Sequence, residues 1–165
     1  MCSLVDIQLV NKVSDELRKQ NRSIATAESC TGGLLAHTLT NVSGSSDYFD
    51  RGVITYSNRA KNEMLGIPEE LLKKHGAVSK EVAAAMAQAI RQNARVDCGL
   101  ATTGIAGPTG GTKDKPIGLV YIALSTKDTL IVKQFLFSGD RISNKENTCT
   151  KALELILELL SKKKS

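Results

Sequence analysis

Residues 23–42 read SIATAESCTGGLLAHTLTNV, and their order decides the fold. Residues 23–27 form a short β-prone run, and residues 29–33 supply small hydroxyl side chains and two glycines for a tight loop. Residues 34–42 have the content of a helix that packs back on the strand. Upstream, Leu4, Ile7, Val10, Val13 and Leu17 recur at three and four residues, which predicts an opening amphipathic helix ending near Gln20. Downstream, the turn cluster SGSSD leads to a strand over 52–57 and a helix over 58–65 closed by Gly66, with a restart at Pro68. Ser79 stands as the N-cap of an Ala-rich helix reaching about residue 93.

A buried strand over 97–102 then runs into the Gly-rich segment TGIAGPTGGTKDKP, residues 103–116. Residues 117–124 and 130–137 read as two strands close enough to pair as an antiparallel hairpin, and a helical stripe closes the chain over 145–160. Strands alternating with helices predict an α/β domain, while the closing hairpin forbids a purely parallel sheet. The expectation is a single domain over 1–165, a three-layer α/β/α sandwich with a mixed, mostly parallel sheet. Ligand sites in such sheets gather at the carboxyl ends of strands, where the loops SCTGG and TGIAGPTGG fall.

Composition narrows the function classes. With 165 residues, 41% apolar and 24% charged, the chain buries a core without staples and is not a disordered polymer. The formal charge of +5 includes the tail lysines Lys162, Lys163 and Lys164, which leaves the body at about +2. Three Phe, three Tyr and no Trp offer little for stacking bases, so no nucleic-acid partner is expected. No apolar run reaches the ~20 residues that span a bilayer, so no membrane partner is expected and a cytoplasmic location is. Cys2, Cys30, Cys98 and Cys149 form no CxxC pair, and with two histidines, His37 and His75, neither a metal site nor a Ser-His-Asp triad is supplied.

Three segments can carry chemistry. In AESCTGG, a strand runs into Glu28, Ser29, Cys30, Thr31, Gly32 and Gly33, and a helix starts directly afterwards, exposing backbone N–H groups to an anion. Thr31 can equally be an ordinary helix cap, and Glu28 can orient a base or simply make a surface ion pair. The second segment, residues 102–111, lacks both the GxxxxGK[ST] and GxGxxG spacings, which argues against an ATPase or a dinucleotide-binding loop. In the third, Ser46 precedes Tyr56 and Lys61, which are five residues apart across a strand end and a helix start. A serine hydroxyl needs a base, and lysine serves only if its surroundings lower its pKa from about 10.4.

The words TAESCTGG, GSSDYFDRGVITYSNRAK, HGAVS, TGIAGPTGG, KPIGLVYIAL and SGDR occur in this order. Together they resemble the C-terminal domain family of the competence/damage-inducible protein CinA, a domain that also occurs alone as a nicotinamide-nucleotide amidohydrolase. The likeness covers roughly residues 4–160. It implies a metal-independent enzyme without cofactor that hydrolyses the carboxamide of nicotinamide mononucleotide to the nicotinate nucleotide and ammonia, in pyridine-nucleotide recycling. A catalytically weak nucleotide-binding or regulatory module of the same fold is the alternative.

The family pattern implies a serine nucleophile with lysine and tyrosine. Ser46 is the first choice, with Lys61 as its base and Tyr56 orienting or relaying the proton; Ser29 is the competitor. Cys30 ranks below both serines as a nucleophile, having no nearby His. Glu28, Cys30, Thr31, Gly32, Thr103, Gly104 and Gly107 become substrate-contacting candidates, and Arg141 a phosphate partner. The usual GDRxxVR pattern departs here, with Lys145 in place of the second arginine; the charge is kept and the bidentate fork is lost. Self-association into a homo-oligomer stays open.

Overall fold

A computed structural model describes residues 5–162. Cys2 and Leu4, and the tail residues Lys163 and Lys164, lie outside the described residues. In chain order the elements are α1 (Ile7–Lys19), β1 (Ile24–Glu28), α2 (Leu34–Thr40), a 3-10 turn (Ser45–Asp47), β2 (Phe49–Ile54), α3 (Asn58–Leu65), α4 (Glu69–His75), α5 (Lys80–Ala94), β3 (Cys98–Gly104), β4 (Leu119–Ser125), β5 (Leu130–Leu136) and α6 (Arg141–Ser161).

The five strands form one sheet in the order β2-β1-β3-β4-β5. β1 pairs in parallel with both β2 and β3, whereas β4 runs antiparallel to β3 and to β5. Only β4 is therefore reversed. The short β4–β5 connection forces that reversal, because a parallel pair needs a long crossover.

Side-chain alternation along the strands separates two cores. On one face Ile24, Leu100, Ile122 and Leu124 pack with Val13 and Leu17 of α1, Leu35 and Leu39 of α2, and Ile156 of α6. On the other face Ala25, Ala27, Ala101 and Ala123 meet Leu65 of α3, Leu72 of α4, and Val82, Met86 and Ile90 of α5. The small residues on this second face let α5 lie close to the sheet, and Gly99 is the tightest point. A Cβ built there falls 2.2 Å from the Ala87 carbonyl and 2.6 Å from Arg91 Cβ. Gly99→Val is expected to cost at least ~3 kcal/mol, read as a lower denaturant midpoint, because backbone and not a flexible side chain must yield.

The three-layer α/β/α sandwich is the expected one, and its element boundaries differ in instructive places. β2 occupies 49–54 rather than 52–57, because Phe49 registers with Ile24 while Ser57 turns away to cap α3, its side chain accepting from Ala60 N. α6 begins at Arg141 rather than at 145: the Asp140 side chain accepts from Ser143 N and starts the helix one turn earlier. Ile7 is 53% exposed, so the apolar stripe of α1 begins at Val10 and not before it. Among the described residues no helix is long and apolar enough to cross a membrane.

Candidate active site

The parallel strands β1, β2 and β3 all deliver their carboxyl ends to one edge of the sheet. β1 continues into Ser29, whose N–H donates to Thr102 O (3.0 Å) in β3. β2 continues into Thr55, whose N–H donates to Glu28 O (2.8 Å), and α3 then brings Lys61 back under the same edge. The Lys61 side chain is 1% exposed. Its Nζ lies 2.8 Å from Thr55 O, 3.5 Å from Tyr56 O and 3.1 Å from Ser29 Oγ. No carboxylate pairs with this amine among the described residues. Burial pushes its pKa below the ordinary lysine value, opposed only by the nearby Cys30 thiol. An uncharged amine has two N–H donors and one lone pair. As a cation the amine donates to Thr55 O, Tyr56 O and Ser29 Oγ; once it loses a proton, the two carbonyls can keep its donors and its lone pair can face the Ser29 hydroxyl.

Glu28 is spent on the loop itself. Its carboxylate is 1% exposed and accepts from Thr31 Oγ1 (2.6 Å), Gly33 N (3.0 Å), Leu35 N (3.0 Å) and Ala36 N (2.7 Å). It therefore caps α2 from the preceding strand, in place of the surface ion pair or ligand contact expected of it. Thr31 is likewise no N-cap. That position is Gly33, and the Thr31 hydroxyl joins Glu28 to Thr102 Oγ1 (2.8 Å). Glu28→Ala leaves three N–H groups, one buried and two half-buried, without an acceptor and is expected to destabilise the protein by about 3 kcal/mol in chemical denaturation. Glu28→Gln is expected to cost less.

Tyr56 and Arg141 meet at the rim. The Arg141 guanidinium donates to Tyr56 Oη (2.7 Å) and to Gly107 O (2.7 Å), tying the β2 exit to the Gly-rich loop. The Tyr56 ring is 58% exposed, and only its carbonyl, not its phenol, approaches the Lys61 amine. Asn144, 1% exposed, donates through Nδ2 to Ala106 O (3.0 Å) and Gly139 O (3.0 Å), and accepts from Gly139 N (3.0 Å). It pins the two loops that carry Gly107 and Arg141. Sequence reading missed Asn144 and Thr102; the available signal was a short polar residue inside a helix that otherwise buries Thr148, Cys149 and Ala152.

The remaining candidates divide. Gly32 is exposed at φ +60°, and a Cβ there would lie 3.6 Å from Lys145 Nζ, so the amine of the departing residue stands beside the β1–α2 loop. Thr103 Oγ1 donates to Ala77 O (2.8 Å), holding the 75–79 segment. Gly104 is required by packing, since a Cβ would fall 2.6 Å from Val120 Cγ2 and 2.7 Å from Leu119 O. Cys30 is buried, and its thiol is pushed up to about 12, first by burial and then by the Glu28 charge, which removes it as a nucleophile near neutral pH.

Ser46 is the main correction. It is exposed in the 3-10 turn that precedes β2, whereas Lys61 lies beyond the other end of that strand. Six strand residues separate the two sites by roughly 17 Å. The expected Ser46–Lys61 pair is therefore not formed, and the serine beside the amine is Ser29.

The chain matches the family model described as the CinA C-terminal domain over residues 6–160. A CinA-like protein of Chloroherpeton thalassium is 48% identical over 160 residues, covering 94% of this chain and 38% of that protein. The chain thus spans well under half the length of the curated relatives it matches. Two solved structures share its fold along almost their whole length. The competence/damage inducible protein CihA from Agrobacterium tumefaciens has a TM-score of 0.91 at 37% identity, covering 93% of this chain and 94% of that one. The competence damage-inducible protein A from Klebsiella pneumoniae has a TM-score of 0.92 at 32% identity, covering 96% and 98%. With the family model spanning nearly every described residue and these relatives folded the same way, the chain belongs to the CinA C-terminal domain family.

Proposed function

We propose that the chain is an amidohydrolase that releases ammonia from the carboxamide of nicotinamide mononucleotide, with Ser29 as nucleophile and Lys61 as base. The observation that carries this reading is the buried Lys61 amine, paired with no carboxylate among the described residues and 3.1 Å from Ser29 Oγ. Ser29 Oγ attacks the amide carbon as its proton passes to Lys61 Nζ, giving a tetrahedral oxyanion. That proton then goes to the departing nitrogen as the C–N bond breaks, leaving an ester on Ser29. Water, deprotonated by the same amine, releases the acid.

An oxyanion needs fixed donors. Among the described residues the backbone N–H groups of Cys30 and Thr31 are committed to no carbonyl or side-chain oxygen, whereas those of Ser29, Gly32 and Gly33 are. We assign the oxyanion to the Cys30 and Thr31 amides and the close approach of the substrate to Gly32. The phosphate is assigned to the cations at the α6 start, Arg141 and Lys145. Tyr56, whose phenol is held by Arg141, lines the entrance for the ring.

Incubation of the purified chain with nicotinamide mononucleotide tests this directly. Ammonia release in the presence of a chelator is expected. Saturable binding without ammonia would make the domain a nucleotide-binding module instead.

A further inference from the structure

At the opposite end of the sheet from Ser29, a cavity of about 670 Å³ opens between the α1–β1 turn, the end of α5, the β4–β5 turn and the end of α6. Its walls hold Arg22, Arg91, Lys127 and Lys162 against Asp97 and Asp128. The two arginines flank the amino end of β3, where the charge of each acts on the Cys98 thiol. Arg91 is held there because its stem crosses Gly99, the tightest point of the α5 approach to the sheet. Its Nε is buried and meets no acceptor among the described residues. A buried guanidinium donor calls for a partner, which water, an ion or a ligand oxygen can supply.

Some of this charge is answered inside the cavity, since Arg22 bonds the Cys98 thiol and its charge acts on Asp97, whereas Arg91 Nε finds no acceptor among the described residues. Asp97 Oδ2 accepts from Ser23 N and Ser23 Oγ, both at 2.8 Å. The last carbonyls of α1 accept from the N–H groups of Gln20, Asn21 and Arg22, and Arg91 O accepts from Val96 N. At the end of α6, Leu160 O accepts from Gln20 Nε2 (2.9 Å). Neutralising helix ends therefore does not account for the Arg91 guanidinium. Val96, Ile131 and Leu159 add an apolar wall beside them, and the volume is in the range that takes a small molecule of nucleotide size.

We propose that this cavity is a second binding site, separate from the Ser29 site, for a phosphorylated small molecule. Arg22 and Arg91 grip the phosphate, and the wall of Val96, Ile131 and Leu159 receives the apolar part of the ligand. Arginine suits this task because its planar fork meets two phosphate oxygens at once. The site stands whether or not Ser29 is a nucleophile.

The test is an amide-detected NMR titration of the uniformly 15N-labelled chain with inorganic phosphate and, separately, with adenosine 5′-monophosphate. Saturable shifts are expected at residues 22, 97 and 126–129, with the nucleotide binding tighter than phosphate. In Arg22→Gln/Arg91→Gln the dissociation constant at these residues is expected to rise by at least about tenfold. If the double variant does not fold, the single Arg22→Gln variant carries the same comparison. The proposal is overturned by shifts confined to residues 29–33 and 141–145, by no saturable shift, by an unchanged response in the variant, or by a nucleotide that binds no better than phosphate.

Discussion

Ser29→Ala is expected to lose ammonia release from nicotinamide mononucleotide by at least about ten-thousand-fold, the scale on which removal of one member of a nucleophile–base unit acts, while Ser46→Ala is expected to retain it. The contrast follows from topology. Ser29 follows β1 in the middle of the sheet, within 3.1 Å of the Lys61 amine, and Ser46 precedes edge strand β2 at the far end. Thermal unfolding separates a chemical loss from a folding loss. The Ser29 hydroxyl bonds only to Lys61 among the described residues, so its removal is expected to leave the melting temperature within a few degrees of the parent's.

Lys61→Arg is the second large effect. It keeps a cation and more than enough donors for Thr55 O and Tyr56 O, yet activity is expected to fall by a similar ten-thousand-fold factor, because a guanidinium cannot give up its proton in a protein. In the parent, kcat/KM is expected to rise with pH and to level off above the pKa of Lys61, which burial holds below the ordinary value near 10.4. Stability carries the same signature. Between the folded and unfolded pKa values of Lys61 the unfolded chain binds more protons, so this group makes stability rise with pH across that window. Three buried thiols, Cys30, Cys98 and Cys149, are held above their usual value and act oppositely above about pH 8.5. The lysine contribution is therefore read as the difference between parent and Lys61→Met in denaturant midpoints measured from pH 7 to pH 10. That difference is expected to shift in the parent's favour as pH rises.

Most of the fold was legible because the patterns that specify it are local. Ser79, Gly66 and the helical periods of α3 and α5 mark their own ends, and the short spacing between residues 124 and 130 announces the hairpin. The boundaries that sequence misplaced depend on partners distant in the chain. β2 begins at Phe49 because Ile24 pairs with it, and no property of residues 49–51 alone conveys that. α6 begins at Arg141 because Asp140 caps it, a signal present in the sequence but outweighed by the later apolar stripe.

The candidate site divides along the same line. Tyr56 and Lys61 lie close in sequence, and their joint presence at one strand end could be read from it. The choice between Ser29 and Ser46 could not, because it rests on the crossover that sets β1 inside β2 and turns α3 under the sheet. The role of Glu28 was equally hidden. A carboxylate after a strand looks like a ligand group until the four donors of α2 and Thr31 are seen to surround it. Asn144 depends on two loops meeting over one helix turn, which no spacing rule captures.

Rapid acid quench of the chain with nicotinamide mononucleotide, followed by peptide mass mapping, tests the central claim most directly. The account predicts a transient adduct equal to the substrate less ammonia on the peptide that contains Ser29, absent in Ser29→Ala. The same adduct on the peptide containing Ser46, or turnover with no covalent adduct on Ser29 at any time point, would contradict it.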